Sequence, residues 1–281
     1  MNLLLEPFQF EFFRNGTMAA VMAGGLCGLI GVYIVLRGMS YIGHGLSHAI
    51  FGGAVVAYVM SWNFYIGAGM WGFISALLIN KTVRSTKINA DAAIGVITTA
   101  SFAVGVALIS RYRSFTRSFD AALFGNVLGV TTGDLWVIAG VSVMTALLVF
   151  FIYRQLLFTT FDSEVAGIYG VKTGWIDTLF ALMLAAALIA ALQILGVTLI
   201  AAALVIPAIT ARLLTDSFNR IIFLSVAIGM LTGFVGMYLS FYVDVASGAS
   251  IVLAQAFLFT VVLAVTSLQQ RAQQRMVHTH V

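Results

Sequence analysis

The sequence predicts an all-α, polytopic transmembrane helix bundle of about eight or nine spanning helices, N-terminus outside and C-terminus cytoplasmic. Three observations carry that expectation. Of 281 residues, 61% are hydrophobic and only 9% charged, against roughly a quarter charged in soluble domains. Apolar runs of about 20 residues, the length that crosses a hydrocarbon core as a helix, recur from one end of the chain to the other. The basic residues between those runs fall mostly on alternate sides.

The runs lie near 17–36, 43–61, 64–80, 92–110, 134–152, 174–194, 196–213, 221–241 and 249–267. Only Trp62-Asn63 separates the second from the third, and 174–194 meets 196–213 at Leu195-Gly196, so eight and nine spans both remain open. Ahead of the first run, Phe8, Phe10, Phe12 and Phe13 follow Pro7 among Glu6, Glu11 and Arg14. That mixture suits an interfacial lead-in better than a cleaved signal. Gly24 and Gly28 form a small-xxx-small face for close helix contact. No heptad array, low-complexity tract or linker divides the chain, so 1–281 reads as a single transmembrane domain. The lone Cys27 sits in an apolar run and excludes a disulfide framework.

With the N-terminus outside, the cytoplasmic loops and helix ends hold Arg37, Lys81, Arg84, Lys87, Arg154, Lys172, Arg212, Arg220, Arg271 and Arg275, ten of the 14 basic residues. Arg14, Arg111, Arg113 and Arg117 remain outside. The net charge of +4 comes from these loops, which gives a nucleic-acid partner nothing to bind.

The most unusual chemistry lies in Arg37 to Met60. His44 and His48 are one helical turn apart on one face, and His48 lies roughly 16 Å of helix beyond Arg37, near mid-bilayer. No acidic or basic residue lies as deep in any other run, and an ionisable side chain there points to function. A cation site and polar contacts between neighbouring helices both account for the spacing. In residues 153–173, Asp162 is placed to cap a short helix, Glu164 complements its dipole, and Gly170 can end it. Pro207 falls inside an apolar run, where it removes a hydrogen bond and favours a kink. The tail carries His278 and His280, and termini of this kind are usually tolerant of change. There is no Gly-x-x-x-x-Gly-Lys-Ser/Thr loop for ATP, nor a Ser–His–Asp or Cys-rich catalytic signature, so the chain is not expected to be an enzyme by itself.

Several stretches resemble the membrane permease subunit of the zinc, manganese and iron ABC importers. They are Val35–Ser40 with Leu46–Ala49, Asp91–Gly95, Leu123–Val130, the Phe161-Asp162 loop, Leu204–Arg212 and Asp244–Ser250. The resemblance implies that the second helix ligates a passing divalent cation through an Asp-x-x-x-His pair. His48 matches its histidine, while His44 stands where the family has aspartate. A second nitrogen suits zinc, iron, nickel or copper better than hard manganese. It also implies that Asp162, Glu164 and Gly170 belong to a segment docking on a separate ABC ATPase subunit, with Pro207 near a gate. An extracytoplasmic metal-binding protein would deliver the cargo, and the permease would be a homodimer in the inner (cytoplasmic) membrane with its path on the two-fold axis. No permanently bound cofactor is expected, only the transported metal ion. The alternatives are an ion-coupled secondary transporter, a permease for another substrate such as a metal chelate, and a membrane scaffold that transports nothing.

Overall fold

The computed structural model describes residues 6–112, 123–125 and 127–278. Among them every regular element is helical. A 3-10 turn at Glu6–Gln9 precedes α1 (Glu11–Leu36), α2 (Ser40–Val59), α3 (Phe64–Ser85) and α4 (Ala90–Tyr112). After a second 3-10 turn at Val127–Gly129 come α5 (Thr132–Phe151), α6 (Tyr153–Phe161), α7 (Ser163–Ile168), α8 (Thr173–Leu214), α9 (Phe218–Val243) and α10 (Ser247–His278). Eight of the described helices, all but α6 and α7, are long and apolar enough to cross a membrane. His278, His280, Arg113 and Arg117 lie outside the residues whose side chains are described.

The helix ends follow their sequence signals. Asn63 Oδ1 accepts the Tyr65 N–H at 2.9 Å and starts α3. Thr131 and Asp134 form a reciprocal capping box at the start of α5. The aromatic lead-in folds as a 3-10 turn followed directly by α1, which already begins at Glu11, because Phe13 is buried edge-on against Tyr238 and Phe241 of α9. That contact draws the helix beyond the apolar run.

α8 resolves the choice between eight and nine passes. At about 1.5 Å per residue its length is roughly 63 Å, twice what a bilayer needs. Gly196 breaks it with φ 75° and ψ 161°. Asp177 near its start pairs with Arg37, in the turn that follows α1. Phe218, just after its end, packs on Tyr33 of α1 and on Phe161 of α6. Both ends of α8 therefore lie at one end of the bundle, and its halves run up and back. Nine passes among the described residues put the first and last helix ends on opposite sides. Arg37, Lys81, Arg84, Arg154, Lys172 and Arg212 gather at the end shared by α1 and α8, which the distribution of basic residues assigns to the cytoplasm.

Small residues set the helix spacing. A Cβ at Gly24 would strike the Gly229 carbonyl and one at Gly28 would lie 2.5 Å from the Ser225 carbonyl, so α1 and α9 touch backbone to backbone. The Ser225 hydroxyl donates to the Gly28 carbonyl at 2.7 Å across the same seam. α2 meets α4 likewise, with Gly52 against the Ser101 carbonyl. At the outer end the tip of α8 is wedged between the 123–125 segment and the start of α10. A Cβ on Gly196 would sit 2.5 Å from the Gly125 nitrogen, and one on Gly248 would sit 2.5 Å from both the Leu195 and Phe124 carbonyls.

Gly196 occupies a dihedral region that only glycine tolerates, where a side chain costs about 1–3 kcal/mol before any clash. Gly196→Ala is expected to lower the melting temperature in detergent and the folded yield sharply. Gly95→Ala on α4, where an added methyl meets nothing within 4 Å, serves as the control and is expected to leave both unchanged. Equal melting of the two variants would show that the reversal tolerates a side chain.

Candidate functional site

α2 starts at the cytoplasmic end and carries His44 and His48 up its second and third turns. The i,i+4 spacing brings the rings edge to face with centroids 4.6 Å apart. Their Nε2 atoms are 3.2 Å apart. Two nitrogens bound to one tetrahedral ion at about 2.0–2.1 Å would stand about 3.3–3.4 Å from each other. The observed separation is thus that of two ligands facing one small cation, and equally that of two neutral rings sharing one proton. Both rings are half-buried.

Each neighbour is placed by a small residue. Gly45 lets Ile94 and Thr98 of α4 approach, and one turn higher Phe102 lies 5.0 Å from the His48 ring. Ser47 faces the opposite neighbour: its hydroxyl is 3.0 Å from the Val197 carbonyl of α8 and 2.8 Å from the His44 carbonyl. The histidine pair is thereby tied to the residue next to the Gly196 break. His48 Nδ1 is buried with no hydrogen-bond partner among the described residues. No group of three or more His, Cys, Asp or Glu side chains gathers there among the described residues.

The cytoplasmic segment has the local structure its sequence signals. Asp162 Oδ1 accepts the Val165 N–H at 2.9 Å and caps α7. Glu164 lies in its first turn, and Gly170 follows in the left-handed region at φ 83°. Phe161, Ile168 and Tyr169 stand out from the surface, with Ile168 83% exposed. An additional helix, α6, precedes α7 within residues 153–173, where the sequence reading places only one short helix. Its buried residues Leu156, Thr159 and Thr160 recur at helical spacing, which is the signal that could have found it. Pro207 is buried in the second half of α8, where the backbone stays helical. The element breaks at Gly196 instead, because proline's fixed φ suits a helix and costs only one hydrogen bond, whereas Gly196 adopts an angle no helix contains.

Sequence reasoning also treated Arg37 as a simple helix-end cation. Its side chain is only 9% exposed and pairs with Asp177 at 2.9 Å. Burial pulls its pKa down, and Asp177 opposes that by stabilising the charged form; a guanidinium remains protonated throughout.

The comparisons with known proteins agree with this architecture. Residues 9–266 match the ABC 3 transport family. The chain is 39% identical over 254 residues to the manganese transport system membrane protein MntC of Halalkalibacterium halodurans, covering 90% of this chain and 87% of that one. It is 33% identical over 259 residues to the chelated iron transport system membrane protein YfeC of Yersinia pestis, covering 92% and 88%. Among solved structures, PsaBC from Streptococcus pneumoniae in complex with Fab matches with a TM-score of 0.82 and 33% identity over 92% of each chain. This chain is therefore a polytopic membrane protein of the ABC 3 transport family.

Proposed function

We propose that the chain is the membrane permease of an ATP-driven importer for a divalent transition-metal ion, acting as one domain in the inner membrane. The observation that carries the reading is the His44–His48 pair, whose Nε2 atoms stand 3.2 Å apart inside a membrane-spanning helix. Relatives named as manganese and iron transport system proteins support it. Imidazole nitrogen suits zinc, iron and related ions, and a single pair leaves room for water or a second copy of the chain to complete the shell. Incomplete ligation also serves passage, because a site must release what it binds. The metal is cargo, with no resident cofactor.

Energy comes from a separate ATPase, since the sequence contains no phosphate-binding loop. Asp162, Glu164 and Gly170 shape α7 and its exit, and the exposed Phe161, Ile168 and Tyr169 offer that partner an apolar face. Pro207 leaves the second half of α8 one hydrogen bond short and marks a place for it to flex during gating. A homodimer would face two histidine pairs across one path, and an extracytoplasmic binding protein would load it.

Metal uptake into vesicles holding the permease, its ATPase and the binding protein, with and without ATP, tests the reading. His48→Ala is expected to reduce uptake to that of empty vesicles. His44→Asp is expected to retain uptake and shift preference toward manganese, because it restores an anionic oxygen donor. Wild-type kinetics in a variant with both histidines replaced by alanine would remove the pair from the mechanism.

Docking has its own test. Gly170→Pro imposes a negative φ on a residue that sits at +83°, and Glu164→Lys reverses the charge at the first turn of α7. Both are expected to lower ATP-driven uptake and ATPase co-purification while the permease inserts normally. Unchanged values in both variants would move the docking surface elsewhere.

A further inference from the structure

A charge cluster at the cytoplasmic end lies outside the cation path and joins four elements. Arg37 Nη1 donates to Asp177 Oδ1 of α8 at 2.9 Å, Nη2 to Thr159 Oγ1 at 3.0 Å and Nε to Thr160 Oγ1 at 3.2 Å, both on α6. The guanidinium carbon lies 4.6 Å from the centre of the Phe180 ring. From α3, Arg84 Nη1 approaches the other Asp177 oxygen at 3.7 Å.

The threonines are held as acceptors. Thr159 Oγ1 lies 3.0 Å from the Gln155 carbonyl and Thr160 Oγ1 2.6 Å from the Leu156 carbonyl. Each hydroxyl proton goes to its own helix, and the lone pairs are left for the arginine fork. Arg37 itself is fixed in the turn before α2. Its N–H bonds the Tyr33 carbonyl at 3.0 Å, the Gly38 N–H bonds Val35 at 3.2 Å, and the Met39 N–H bonds Ile34 at 3.0 Å. α2 begins at Ser40, and His44 follows one turn later. A planar fork bound at three points cannot absorb a shift of its partners as a flexible ammonium stem would.

We infer that Arg37 is the joint that passes movement of the coupling segment to the histidine-bearing helix. α6 leads directly into α7, so a push on α7 reaches Thr159 and Thr160, then Arg37, then the start of α2, while Asp177 anchors the joint to α8. Arg37 is a positioning residue and touches no cargo. This inference rests on the docking of α7 proposed above.

The experiment measures metal taken up per ATP hydrolysed by the full complex in vesicles. Thr159→Val with Thr160→Val keeps the shape of α6 and the Arg37–Asp177 pair but removes both acceptors. It is expected to lower the uptake-to-hydrolysis ratio by about tenfold or more, the loss expected for hydrogen bonds to a charged group, with hydrolysis retained. Thr159→Ser with Thr160→Ser keeps the hydroxyls and restores the ratio. Arg37→Lys keeps the charge, loses the fork, and lowers it. An unchanged ratio in the valine variant, whether or not its melting temperature falls, would overturn the inference and leave the cluster a static brace. Absence of ATP-driven metal uptake by the wild-type complex would instead overturn the proposed function.

Discussion

Backbone contact at small residues is the interaction on which this bundle depends. Lipid tails are as apolar as the side chains they touch, so helices in a bilayer associate through close packing and polar contacts rather than by escaping water. Gly24 and Gly28 of α1 meet Gly229 and Ser225 of α9, Gly52 of α2 meets Ser101 of α4, and Gly196 and Gly248 bring three segments together at the outer end. With each seam closed at the backbone, larger residues such as Tyr33, Phe51 and Leu184 fill the space between seams. α4, α5 and α10 are the least buried of the spanning helices.

Buried polar groups are few, and two clusters of them stand apart. The histidine pair sits within α2 and is half-buried, and His48 Nδ1 has no hydrogen-bond partner among the described residues. The cluster around Arg37 is at the cytoplasmic end, where its guanidinium has a partner at Nε and at each Nη. A buried charge stripped of its partners is costly, so a satisfied cluster is a rigid one.

Both features converge on α2. Its first turn follows Arg37, and Ser47 ties its third turn to Val197, next to the α8 reversal. The turn before α2 and the third turn of α2 are thus both held by hydrogen bonds to other helices.

Much of this was legible in the sequence. Apart from the start of α1 and the end of α10, which extend beyond their runs, the apolar runs matched the spanning helices within about five residues, since about 20 apolar residues flanked by charges leave a helix few alternatives in a bilayer. The i,i+4 spacing placed His44 and His48 on one face, and Asp162 and Gly170 bounded a short helix as their capping chemistry requires. The number of passes was not decided there, because Leu195-Gly196 is too short to read as a loop; only the contacts of both ends of α8 show that the chain turns back at one residue. Nor could the sequence tell a lone helix-end arginine from one shared by Thr159, Thr160 and Asp177, which lie 122 to 140 residues away along the chain. Periodicity and capping are local and were readable from the chain alone. The direction of the Arg37 fork and the α8 reversal depend on which helices meet, and only the tertiary structure decides that.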